Sequence, residues 1–113
     1  MRVIIANPGE SARVTEIDSG LHSLQAVVGG FIELWAVDGP AHFLCNEEGR
    51  LEGLPFNRFV TLSDGTVWDI YGPILVVGAD EDEGTFASLP EDVAAEWMTR
   101  LNSALEVFID SVS

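Results

Sequence analysis

The C-terminal stretch restricts the fold more than any other part of this chain. Val93, Trp97, Leu101, Leu105 and Phe108 recur at helical spacing, while Glu91, Glu96, Arg100, Asn102 and Glu106 fall off that line. A single amphipathic helix cannot cover its own apolar stripe, so it must lie across another layer. The rest of the chain supplies short β-branched and aromatic runs punctuated by Gly, Pro and Asp, the pattern of strands and tight turns.

Residues 2–6 read as a buried strand, and Asn7-Pro8-Gly9-Glu10 suits a type II turn, with Pro second and Gly third. Residues 12–17 return as its partner. Asp18 or Ser19 is placed to cap a short helix carrying Leu21, Leu24, Val27 and Val28, which Gly29 stops. Residues 31–37 alternate, with Phe31, Glu33, Trp35 and Val37 on one face and Ile32, Leu34 and Ala36 on the other. Asp38-Gly39-Pro40 turns the chain into a strand over 41–45, and residues 46–58 read as an ordered loop. Asp64-Gly65 joins strands over 59–62 and 66–71 as a hairpin. The continuous apolar run over 74–77 marks a central strand with both faces covered. An acidic turn, Asp80-Glu81-Asp82-Glu83-Gly84, precedes a short edge strand over 85–87. Ser88 and Glu91 form a capping box for the final helix, with Pro90 in its first turn. The expected architecture is one α+β domain over 1–113. It has a mostly antiparallel sheet of about six or seven strands, one short helix and a long C-terminal amphipathic helix packed on the sheet.

Charge narrows the function. Nineteen acidic residues oppose five basic ones in 113 residues, all five being Arg, for a formal net charge of −14. A hydrophobic content of 47% is enough for a core, so the acidity does not imply disorder. Direct nucleic-acid binding by phosphate neutralisation is excluded for want of cations. The lone cysteine, Cys45, permits no intramolecular disulfide and suits a reducing cytoplasm. No apolar run has a signal peptide's layout or approaches the roughly 20 residues of a membrane span, so no membrane partner is expected.

No catalytic grouping stands out. His42 is three residues from Cys45 in one strand, which sends the two side chains to opposite faces and leaves Cys45 as packing. His22, His42 and Cys45 lack zinc spacing, and Asp80-x-Asp82-x-Gly84 lacks the distal ligands of a calcium loop. Gly29-Gly30 ends a helix and opens no phosphate loop. No metal and no cofactor are expected, and an enzyme is the less favoured reading. The segment 46–58 is the most distinctive, gathering Asn46, Arg50, Asn57 and Arg58 as candidate ligand- or partner-binding residues. The competing reading satisfies these groups internally, through local backbone and nearby carboxylates. Glu47, Glu48, Asp80, Glu81, Asp82 and Glu83 form the candidate acidic surface.

Asn46, Gly49, Gly53, Leu54, Pro55, Asn57 and Arg58, arranged as Asn-x-x-Gly followed by Gly-Leu-Pro-x-Asn-Arg, together with Val76-Val77-Gly78, carry a resemblance. The chain resembles a small family of unknown function found in phages, plasmids and other mobile elements. The resemblance implies an accessory protein in the cytoplasm of a bacterial host cell, and no mechanism.

Two functions follow as expectations. The first is a non-enzymatic accessory protein that binds and modulates a host protein with a basic surface, such as a defence component, through an acidic face. A compact chain of this length spans somewhat over about 30 Å. Duplex DNA of that length carries on the order of 20 phosphate charges, so a charge of −14 suffices in magnitude for DNA mimicry. The alternative is a module that binds or sequesters a small nucleotide ligand through the 46–58 loop.

Overall fold

The computed structural model describes the backbone of residues 1–49 and 51–112 and the side chains of residues 1–49 and 51–103. Two interleaved apolar rows decide its layering. In strand β7 (Ile74–Asp80), Ile74 and Val76 face one core while Leu75 and Val77 face another, and all four are fully buried. Such a strand needs a layer on each side. One layer is helix α1 (Leu21–Val28), whose Leu24 and Val28 pack on Val3, Ile5, Leu44, Leu75 and Val77. The other comprises helix α2 (Glu91–Val112) and a separate hairpin of β5 (Phe56–Thr61) and β6 (Val67–Tyr71). These enclose Ile4, Phe43, Ile74, Val76 and Trp97.

The sheet itself is antiparallel throughout, in the order β2-β1-β7-β4-β3, with β1 spanning Arg2–Ala6, β2 Arg13–Glu16, β3 Ile32–Asp38 and β4 Ala41–Asn46. A sixth strand, β8 (Thr85–Ala87), pairs with the far end of β7, Gly78 opposite Ala87. The α+β class, the central position of β7, the edge strand β8 and the C-terminal helix agree with the sequence reading. The strand count divides differently, because β5 and β6 form their own two-stranded sheet over the main one. On α2, Trp97 and Leu101 are buried and Val93 partly so; the side chains of Leu105 and Phe108, also assigned to the stripe, lie outside the described residues.

Four local expectations are corrected. Helix α1 has Gly20 at its N-cap with no side-chain cap, so neither Asp18 nor Ser19 serves; Gly29, at φ 78°, does end it. Ser88 does not cap α2. Its Oγ accepts from the Arg2 N–H at 2.9 Å, and the Leu89 N–H donates to the Arg2 carbonyl, so this segment continues as extended chain along β1. Pro90 enforces this, since a residue before proline is pushed from helical to extended backbone. Strand β5 begins at Phe56, which shortens the predicted loop and puts Asn57 and Arg58 in a strand. Finally, a bulge at Trp35 moves the register, with Leu34 opposite Leu44 but Ala36 opposite Phe43. Ala36 therefore joins Trp35 on the α2 side, and Val37 crosses to the α1 side.

The return from β8 to β1 fixes one glycine. A Cβ on Gly78 would collide with the Ser88 carbonyl oxygen, a backbone atom. Gly78→Ala must therefore displace the chain between β8 and α2, and a loss of about 1–3 kcal/mol is expected in urea unfolding.

Candidate functional site

Strand alternation would send Asn57 and Arg58 to opposite faces of β5, but a second bulge, between Phe56 and Arg58, turns both inward. Both are fully buried. Asn57 Nδ2 donates to the carbonyls of Ala6 and Gly72, each at 2.8 Å, while its Oδ1 accepts from Arg58 Nε at 2.7 Å. Arg58 Nη1 donates to the Leu101 carbonyl at 2.8 Å, and Nη2 donates to Asn7 at 3.2 Å and to Glu10. One guanidinium thus ties β5 to the β1–β2 turn and to α2. Among the described residues no ion pair involves it; carbonyl dipoles hold its charge, and desolvation lowers its pKa. Asn102 of α2 adds to this tie by accepting the Ala12 N–H at 2.7 Å.

Asn46 is also turned inward. Its Nδ2 donates to the Val28 carbonyl at 3.2 Å, satisfying an acceptor at the end of α1, and its Oδ1 accepts the Glu48 N–H at 2.8 Å. Of the four polar residues singled out in the loop, these three spend their side chains inside the protein, on its backbone and, for Asn57 and Arg58, on each other. Arg50, the fourth, lies outside the described residues.

The acidic candidates separate into two places. Cys45 pairs with Ile74 and His42 with Val77, so Glu47 and Glu48 follow β4 at the end of the sheet where β7 begins. Asp80, Glu81, Asp82 and Glu83 lie where β7 finishes, about 20 Å away at 3.3 Å per residue. There Asp80 Oδ1 accepts the N–H groups of Asp82 and Glu83, closing an exposed turn. Among the described residues no group of His, Cys, Asp and Glu is arranged to hold a metal ion.

Glu47 and Glu48 border a cleft of about 360 Å³ between the β3–β4 edge of the sheet and strand β6. Glu33 and Trp35 of β3, Cys45 and Asn46 of β4, and residues 68–71 of β6 complete most of its wall. The bulge sets Trp35 against Phe43, with ring centroids 5.2 Å apart, and against Trp68 at 5.5 Å. Trp35 is 9% exposed, and its Nε1–H has no acceptor among the described residues. Trp68 is 38% exposed, and Glu33, Glu47 and Glu48 are all exposed. The site is an acidic mouth over an aromatic floor. Sequence reading noted Glu33 and Trp35 on one face but did not pair them with Trp68; the available signal was Trp next to acid in two strands, Glu33-x-Trp35 and Trp68-Asp69.

Cys45 lines this cleft as an inert thiol. Burial, and secondarily the Glu33 carboxylate, push its pKa up to about 11. Its ring-bearing neighbour His42 points to the other face, as strand alternation predicts. At a pH of about 8, alkylation of Cys45 by iodoacetamide should run roughly two orders of magnitude slower in the folded protein than in urea. Equal rates in the two states would remove the burial argument.

No helix among the described residues is long and apolar enough to cross a membrane. Comparison with known proteins finds a family match over residues 1–102, to a domain of unknown function (DUF3846). No curated protein and no solved structure matches the chain.

Proposed function

Since the chain belongs to the DUF3846 family, a domain of unknown function, we propose its role from the cleft: it is a non-enzymatic binding protein that engages a partner protein with a basic surface. The observation that carries this reading is the convergence of Glu33, Glu47 and Glu48 on one cleft, with no ion pair to any of them among the described residues. Carboxylates gathered without an ion pair among the described residues repel one another, and a cationic partner relieves that repulsion. The same charge works against a nucleotide ligand, whose phosphates it repels, and the three inward-turned polar residues of the 46–58 segment offer such a ligand no donors. The mobile-element setting that the family resemblance implies favours a bacterial host protein as that partner. The acidic end formed by Glu47 and Glu48 is its contact, and the distant Asp80–Glu83 turn contributes only long-range attraction.

Affinity capture from a bacterial host lysate, at about 50 mM and about 500 mM salt, tests this, because screening at the higher salt shortens electrostatic attraction to a few ångströms. The expected result is a basic protein retained at low salt and released at high salt. It should also be lost when Glu33, Glu47 and Glu48 are all changed to Gln. A partner that ignores salt, or that still binds the triple variant, contradicts the reading.

A further inference from the structure

The main sheet ends differently on its two sides. At one edge β2 is four residues long and carries Arg13 and Glu16, the short, charged kind of edge that discourages pairing. At the other, β3 is seven residues long, and no strand pairs with its outer side. Backbone groups along β3 alternate between β4 and that outer side. The Phe31 carbonyl accepts the Glu47 N–H at 2.9 Å, so Phe31 and then Glu33 face β4, while Ile32 and Leu34 turn their N–H and C=O groups to the open edge. Neither is one of the charged residues or prolines that usually guard such an edge. The side chains of Ile32, Leu34 and Val37 share the α1 side, where Leu34 remains 48% and Val37 52% exposed. On the opposite face Glu33 is exposed, with no ion pair among the described residues.

We propose that the open edge of β3 receives an extended segment of the partner protein as a further strand, antiparallel to β3, with apolar and basic residues alternating along it. The unpaired backbone groups supply the pairing, and the side chains select the sequence. An apolar residue opposite Ile32 or Leu34 extends the α1-side face and covers Leu34. The residue between them falls opposite Glu33 at the closer, non-hydrogen-bonded spacing, where a basic side chain is favoured and an acidic one repelled. The bulge after Leu34 breaks the register, so backbone pairing centres on Ile32 and Leu34, and Val37 adds apolar surface. A second copy of this chain is a poor occupant. Its own β3 is bulged, carries Glu33 and Asp38, and brings a net charge of −14.

This inference rests on the acidic reading for the basic half of the partner strand, and N-methylated peptides separate the two. A peptide of alternating Arg and Val pairs through its Val N–H groups when Val faces the α1 side. Methylating the Val nitrogens removes those donors; methylating as many Arg nitrogens leaves them in place and keeps the charge. Both forms are titrated into the ¹⁵N-labelled full chain, beside the unmethylated peptide and one with Glu in place of Arg. The unmethylated and Arg-methylated peptides should bind within about threefold of each other, and the Val-methylated peptide about tenfold or more weakly. The Glu peptide should not bind. Amide hydrogen exchange at Ile32 and Leu34 should be faster than at Glu33 in the free protein, and should slow about tenfold or more on binding. Equal binding of the two methylated peptides, with exchange at Ile32 and Leu34 unchanged, would overturn the added strand and leave the acidic reading standing. Failure of every Arg peptide to bind would overturn both. A concentration-dependent dimer of the free chain that protects the same two amides would give the edge to a second copy and overturn the proposed occupant.

Discussion

Arg58→Met should cost the fold about 3–5 kcal/mol, because it strands several carbonyl acceptors at roughly 1–3 kcal/mol each where they are buried. The acceptors are those of Leu101, Asn7 and Glu10, with Asn57 Oδ1 beside them. The methionine fills most of the stem's volume, so the loss reads the hydrogen bonds and not a cavity. Arg58→Lys keeps the charge but not the fork, and one ammonium cannot reach acceptors on both α2 and the β1–β2 turn; it should recover only part of the loss. Urea unfolding at an unchanged slope measures both variants. Wild-type stability for Arg58→Met would mean that the guanidinium is dispensable inside the protein, and would free it for a ligand role.

Trp97→Ala should cost a similar about 3–5 kcal/mol, the range for truncating a buried aromatic. Trp97 is 2% exposed and meets Phe43 edge to face at 4.7 Å, while the Arg100 guanidinium lies over its ring, 3.8 Å from the centroid. Arg100 in turn donates to the Thr61 carbonyl at 2.6 Å and lies 3.8 Å from Glu96 and 3.9 Å from Asp38. Asp38 Oδ2 accepts from both the N–H and the hydroxyl of Ser63. Trp97 therefore sits where α2, the sheet and the β5–β6 hairpin meet. Near-UV circular dichroism and urea unfolding should show a loosened core, and a loss below about 1 kcal/mol would show that α2 is attached elsewhere.

Local periodicity made the layers legible and left the inward turns hidden. The apolar run of β7 announced two covered faces, the stripe through Trp97 and Leu101 announced α2, and Gly9 and Gly29 announced their turns through the positive φ they adopt. Asn57 and Arg58 looked like loop ligands because a polar pair in a Gly- and Pro-rich segment usually faces solvent. What turns them inward is a bulge, and acceptors on Asn7, Glu10 and Leu101 that are distant in the chain. The exchange of faces by Ala36 and Val37 has the same origin, since a one-residue bulge leaves no periodic signature. The cleft is a tertiary product: Glu33 and Trp35, Glu47 and Glu48, and Trp68 come from three separate segments, and only hairpin docking brings them together. The acidic runs themselves were plain in the sequence, but their division between two ends of the sheet depends on the β4–β7 register.

That division allows the most direct test of the account. Two variants remove equal charge, one carrying Glu33→Gln, Glu47→Gln and Glu48→Gln in the cleft, the other Glu81→Gln, Asp82→Asn and Glu83→Gln in the far turn. Asp80 is left intact because its Oδ1 closes that turn. Affinity for a peptide of four Arg residues spaced by Gly and Ser, measured by calorimetry at one fixed salt concentration, should fall about tenfold or more for the cleft variant, which is about 1.4 kcal/mol. It should fall by less than about threefold for the turn variant, which acts only through screened long-range attraction. Equal losses, or a larger one from the turn, would show that charge alone governs binding and that the cleft is not its seat.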